Sequence, residues 1–116
     1  PLSHAGRGAS PLVVWEGSHH ILRRSLTEAL SGTAPEDWAS VDLTDAYQAA
    51  RREVFNRCTR VELPASPGMA TLVHRLALHG VAPWSEGAEA EETGRMIAYF
   101  RPEFEDVTQD SWLTAP

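Results

Sequence analysis

Pro67-Gly68-Met69-Ala70-Thr71-Leu72-Val73-His74-Arg75-Leu76-Ala77-Leu78-His79-Gly80-Val81-Ala82-Pro83-Trp84 leads through an acidic loop into Gly94-Arg95-Met96-Ile97-Ala98-Tyr99-Phe100-Arg101-Pro102. Pro67-Gly68 marks a turn. Residues 70–79 are rich in aliphatic and β-branched side chains and read as a strand that delivers His79. Residues 82–94 carry Pro83, Gly87 and four glutamates and read as a loop. Residues 95–101 read as the next strand, with Arg95, Ile97 and Tyr99 on one face and Met96, Ala98 and Phe100 on the other. A histidine and an arginine at the ends of two consecutive strands can hold a metal and an anion side by side. His79 and Arg95 are the candidate site residues.

Upstream, Pro1 to Ser10 reads as a loop. Residues 12–16 begin with the β-branched and aromatic run Leu12-Val13-Val14-Trp15 and read as a buried strand closed by Gly17. Ser18 is a plausible N-cap. Ile21, Leu22, Leu26, Ala29 and Leu30 then fall on one helical stripe, and Gly32 ends the helix. Asp42 or Thr44 can cap a second helix with Ala46, Tyr47, Ala50 and Val54 inward. These two helices form an insert over residues 18–58. Arg60-Val61-Glu62-Leu63 alternates polar and apolar, the pattern of a half-buried strand at residues 60–63. The whole chain reads as a single domain of the α+β class. Past Pro102 the chain is acidic and turn-rich, with Trp112 as the expected packing anchor.

The balance of charge narrows the function. A net charge of -6 argues against a broad nucleic-acid or anionic-membrane surface, which needs clustered Lys and Arg. The single cysteine, Cys58, has no intrachain partner, which fits a reducing cytoplasm. Cys58 itself reads as an inert thiol. No apolar run reaches membrane-spanning length. The chain opens with Pro1 rather than Met, which suggests a piece of a longer protein or a processed product.

A neutral imidazole suits a first-row metal, and non-haem iron(II) sites combine two histidines with one carboxylate on one face. An arginine beside such a site grips a carboxylate in two-point fashion. Gly80, directly after His79, removes bulk next to the metal. His74 reads as a strand histidine satisfied by its neighbours. His20 reads as exposed at the helix start, and Arg23, Arg24, Arg51 and Arg52 read as solvated helix faces. Trp15, Trp38, Trp84 and Trp112 read as packing anchors.

Trp15-Glu16-Gly17-Ser18-His19, Pro67-Gly68, Leu72-Val73-His74, His79-Gly80 and Gly94-Arg95 through Tyr99-Phe100 together resemble, in order and spacing, the C-terminal half of the phytanoyl-CoA dioxygenase family. The resemblance spans Leu12 to about Arg101. It implies the C-terminal portion of a double-stranded β-helix, the cupin-like jelly roll, with the two helices as an insertion. It implies iron(II) as the metal and 2-oxoglutarate as cosubstrate. His79 takes the place of the distal iron ligand, and Arg95 that of the residue that binds the remote carboxylate of 2-oxoglutarate. Gly17-Ser18-His19 takes the place of a structural turn before the helical insert.

Three departures accompany the resemblance. The family's proximal ligands form a His-x-Asp pair, and no His-x-Asp or His-x-Glu occurs in this chain. Val81 stands where relatives often carry a hydroxyl residue, and Met69 where they often carry Asp. The expectation is therefore part of an oxygenase acting on a small organic substrate, inactive as this chain alone. A missing N-terminal half, or another chain, would complete the barrel and the ligand set. The alternative is a non-catalytic jelly-roll binding or assembly module.

Overall fold

The computed structural model describes residues 1–90, 94, 96–102, 105–108 and 111–115. In chain order it holds strand β1 (Leu12–Trp15), helix α1 (Ser18–Ala29), a 3-10 helix (Pro35–Ser40), helix α2 (Thr44–Arg57) and strands β2 (Arg60–Leu63) and β3 (His79–Val81). The three strands form one antiparallel sheet in the order β2-β1-β3. The α+β class expected from the sequence is what the chain adopts. Among the described residues, no helix is long and apolar enough to cross a membrane.

The core lies where the helical stripes meet the segment before β3. Ile21 and Leu22 of α1, Ala50 and Val54 of α2, and Leu76 and Leu78 form one buried cluster, with Trp15, Leu26 and Cys58 against it. The helices are also pinned at their outer faces. The Arg24 guanidinium donates to both carboxylate oxygens of Glu53 at 2.8 Å, and Glu53 also pairs with Arg57 at 2.6 Å. Arg24 is therefore a cross-helix tie rather than a solvated face. Arg51 lies over the rings of Tyr47 and Phe55. Before α2, the Thr44 N–H donates to Asp42 Oδ1 at 2.9 Å in an Asx turn; the N-cap residue is Leu43, which makes no side-chain cap bond, so neither Asp42 nor Thr44 takes the expected capping position.

Ser18 departs from the expected capping role. Gly17 takes the left-handed conformation at φ 74°, and nothing lies within 4 Å of a Cβ built there, so it is the backbone angle that calls for glycine. This turn places Ser18 as the first helical residue, fully buried, with Oγ accepting from the Leu78 N–H at 2.8 Å. The hydroxyl ties the start of α1 to the chain entering β3. Ser18→Ala leaves a buried backbone donor without a partner, and a loss of about 1–3 kcal/mol in unfolding free energy is expected, read as a lower urea midpoint.

The strand expected over residues 70–79 shrinks to His79–Val81. A turn breaks it. The Ala77 N–H donates to the His74 carbonyl at 2.8 Å, and the Leu76 N–H donates to His74 Nδ1 at 3.0 Å. Leu76, Ala77 and Leu78 are then all buried in succession, which an alternating strand cannot do. Only from Leu78, whose carbonyl accepts from the Trp15 N–H, does the chain align with β1.

The second expected strand, residues 95–101, begins at Arg95, which lies outside the described residues. Residues 96–102 carry no strand. Met96 instead meets the N-terminal loop: its carbonyl accepts from the Leu2 N–H, and its N–H donates to Ser3 Oγ at 2.7 Å. That loop is more ordered by pairing than its composition suggests. Ala5 bridges to both Ala65 and Ala90, and Ala5, Ala9 and Ala65 make a second small buried cluster. Trp112 is 41% exposed, and the neighbouring Leu113, at 4%, is the residue that packs instead.

Candidate functional site

His79 is positioned by the register of β3. It lies opposite Val14, and Val81 lies opposite Leu12, while on the other side of β1 Leu12 and Val14 face Leu63 and Val61. Directly opposed residues in antiparallel strands share a face. His79 therefore stands on the sheet face formed by Leu12, Val14, Val61, Leu63 and Val81. Those five side chains are half-buried, or exposed in the case of Val81, and His79 itself is exposed. The opposite face carries Trp15, which packs against the helical core and lies 5.1 Å from the Phe55 ring. Helices thus back one face of the sheet, and the face that bears His79 is aliphatic and open.

The His79 ring is oriented. Its Nδ1 lies 2.7 Å from the Ala77 carbonyl oxygen. A carbonyl only accepts, so Nδ1 carries the proton in this bond. Nε2 is left as the lone-pair nitrogen, which is the arrangement that second-shell bonds impose on metal-binding imidazoles. β3 is an edge strand, and from that edge His79 also borders a cleft of about 180 Å³ on the helical side, lined by Leu22, Leu26, Tyr47, Arg75 and Leu76. A shallower hollow of about 360 Å³ near Arg7, Arg60 and Ser85 contains neither candidate residue.

Iron(II) would need more than this. Among the described residues there is no group of three His, Cys, Asp or Glu side chains able to hold a metal. The described residues supply one oriented imidazole at this position, which does not by itself make an iron site. Arg95 lies outside the described residues, so its distance from His79 carries no argument.

A second group of side chains was not foreseen as a unit. His19 and His20, in the first turn of α1, have ring centroids 3.9 Å apart, and His19 stands 4.8 Å from His74. Arg23, one helical turn after His19, places Nη2 3.3 Å from His74 Nε2. Arg75 donates to the carbonyls of Trp112 and Ala115. The signal was present in the sequence as His19 and Arg23 at the i, i+4 spacing of one helix face. What it lacked was the turn at His74, which brings the third imidazole across.

Burial holds the His19 pKa below its ordinary 6.5, and the nearby charges of His20 and Arg23 lower it further. His74 is lowered in the same way, first by burial and then by His19, Arg75, Arg23 and His20. Groups with depressed folded pKa values take up protons first in the unfolded chain. Their effect on stability is therefore nil above about pH 6.5 and turns unfavourable as pH falls from there through the folded values. Thermal unfolding is expected to drop between pH 7 and 5.5 in the wild-type chain and to flatten in His74→Gln. Glu53 is lowered by its bond to Arg24, so its contribution is lost only in the more acid range below the carboxylate's ordinary 4.5.

Comparison of the chain with models of protein families, with curated proteins and with solved structures finds no match in any of the three.

Proposed function

We propose that this chain is part of an iron(II)- and 2-oxoglutarate-dependent oxygenase acting on a small organic substrate, with His79 as the distal metal ligand and Arg95 as the group that holds the far carboxylate of 2-oxoglutarate. The observation that carries this reading is the open aliphatic face of the β2-β1-β3 sheet with His79 standing on it. An apolar sheet face is stable when a second layer covers it. In a jelly roll that second layer is another sheet, and the covered face becomes the inner wall of the barrel. His79 would then project from that wall into a dry cavity, with Nδ1 fixed by the Ala77 carbonyl and Nε2 directed at the metal. The helices α1 and α2, behind the opposite face, match the position of an insertion outside the barrel.

The oxygenase reading requires a His-x-Asp pair from another segment. The experiment is metal analysis with 2-oxoglutarate-dependent oxygen uptake, on the 116-residue chain and on the longest product of its reading frame. The chain alone should retain no stoichiometric iron. The longer product should carry an upstream His-x-Asp and lose uptake in His79→Ala. Uptake that survives His79→Ala would remove the assignment.

The alternative is a non-catalytic jelly-roll binding or assembly module. It is favoured by the same open face if the longer reading frame holds no His-x-Asp, because a second copy or another chain could then provide the covering layer.

A further inference from the structure

The start of α1 and the turn at His74–Ala77 bring three imidazoles and two guanidinium groups together in an acidic protein. His19, His20 and Arg23 come from α1, and His74 and Arg75 from the turn. Every charge that acts on the His74 imidazole from a described residue is cationic. Among the described residues of the C-terminal turn, the backbone carbonyls of Trp112 and Ala115 accept from Arg23 and Arg75.

Two details show that, among the described residues, the Arg23–His74 pair is short of an acceptor. His74 Nδ1 accepts from the Leu76 N–H, so the neutral ring carries its proton on Nε2. That N–H faces Arg23 Nη2 at 3.3 Å, and a guanidinium only donates. Two donors therefore meet with no acceptor between them. In addition, Arg23 Nε is buried and has no hydrogen-bond partner among the described residues. Arg23 Nη2 reaches only the Ala115 carbonyl, at a long 3.4 Å. Buried polar groups are ordinarily satisfied, and a guanidinium left in this state is costly.

We infer that the side-chain cluster where α1 meets the His74–Ala77 turn binds a small oxyanion, such as a sulfate- or phosphate-type group, through Arg23, His74 and His19. An oxygen seated beside the Arg23–His74 pair accepts from both N–H groups and resolves the conflict between them. A second oxygen of the same anion can take Arg23 Nε, since a guanidinium presents its donors as a fork. The negative charge offsets the repulsion within the stack of three imidazoles once any of them is protonated. Affinity therefore rises as pH falls. The site uses neither His79 nor Arg95 and stands independently of the oxygenase reading.

The test is a calorimetric titration with sulfate, whose charge is constant from pH 6 to 7.5, against chloride at matched ionic strength. Sulfate should bind at one site, at least threefold more tightly at pH 6 than at pH 7.5. Arg23→Gln should weaken binding at least tenfold, and His79→Ala should leave it unchanged. The proposal is overturned if sulfate acts no differently from chloride, or if Arg23→Gln binds as the wild type does. Should that variant fail to fold, side-chain nitrogen spectra of the wild-type chain decide: sulfate must shift the His74 and His19 signals and leave His79 in place. Unmoved His74 signals contradict the site.

Discussion

Val54→Asp unfolds the chain. Val54 is fully buried at the centre of the only large hydrophobic cluster among the described residues, between Ile21 and Leu22 of α1 and Leu76 and Leu78 of the segment entering β3. A carboxylate there loses its water and finds no cation. The effective penalty for such an ion is several kcal/mol, a large share of the ~5–15 kcal/mol that holds a domain folded. Far-UV circular dichroism should show the helical signal gone at room temperature. Val54→Ala, which only trims the side chain, should cost roughly 2 kcal/mol and keep the fold. If Val54→Asp melts like the wild type, the packing of α1 and α2 on residues 76–78 is not the core.

If the proposed oxygenase reading holds, Arg95→Ala weakens 2-oxoglutarate binding roughly a hundredfold, because it would remove a two-point charged contact worth about 3 kcal/mol. Arg95→Lys should recover only part of the loss, since an ammonium cannot present two parallel donors. Arg101→Ala should change little. The measurement is the dissociation constant of 2-oxoglutarate for the protein that carries the complete ligand set. Equal affinities for wild type and Arg95→Ala would remove Arg95 from the site.

Much of the architecture was legible in local patterns. The stripe Ile21, Leu22, Leu26 and Leu30 predicts α1, and the Leu12–Trp15 run predicts β1, because both depend on periodicity within a dozen residues. Residues 70–78 were misread because Thr71, Leu72, Val73, Leu76 and Leu78 have strand-like composition, yet a hydrogen bond from the Leu76 N–H to the His74 ring favours a turn. Leu72, 96% exposed, shows how little tertiary packing supports that reading.

The candidate sites divide along the same line. His79 is where the strand reading put it, at a sheet position with an oriented ring, although the strand that carries it is only three residues long. The Ala77 bond that orients it could not be read from spacing. Arg23 and His74 were each assigned bland roles, a solvated face and a satisfied strand histidine. Their meeting depends on a contact 51 residues apart in sequence, which no local pattern encodes. Ser18 was read as a cap because its side chain often serves that way. The close passage of Leu78 gave it a different partner.

The claim that His79 is a metal ligand is tested most directly by titrating manganese(II) into the chain in the presence of 2-oxoglutarate and watching the imidazole proton signals of its five histidines. His19 and His74 lie beside the Arg23 and Arg75 guanidinium groups, whose charge opposes a metal ion, whereas the His79 Nδ1 is engaged by the Ala77 carbonyl and leaves Nε2 as the lone-pair nitrogen. The account predicts that the His79 signals broaden first, at the lowest metal concentration. Sharp His79 signals while another histidine broadens would contradict it.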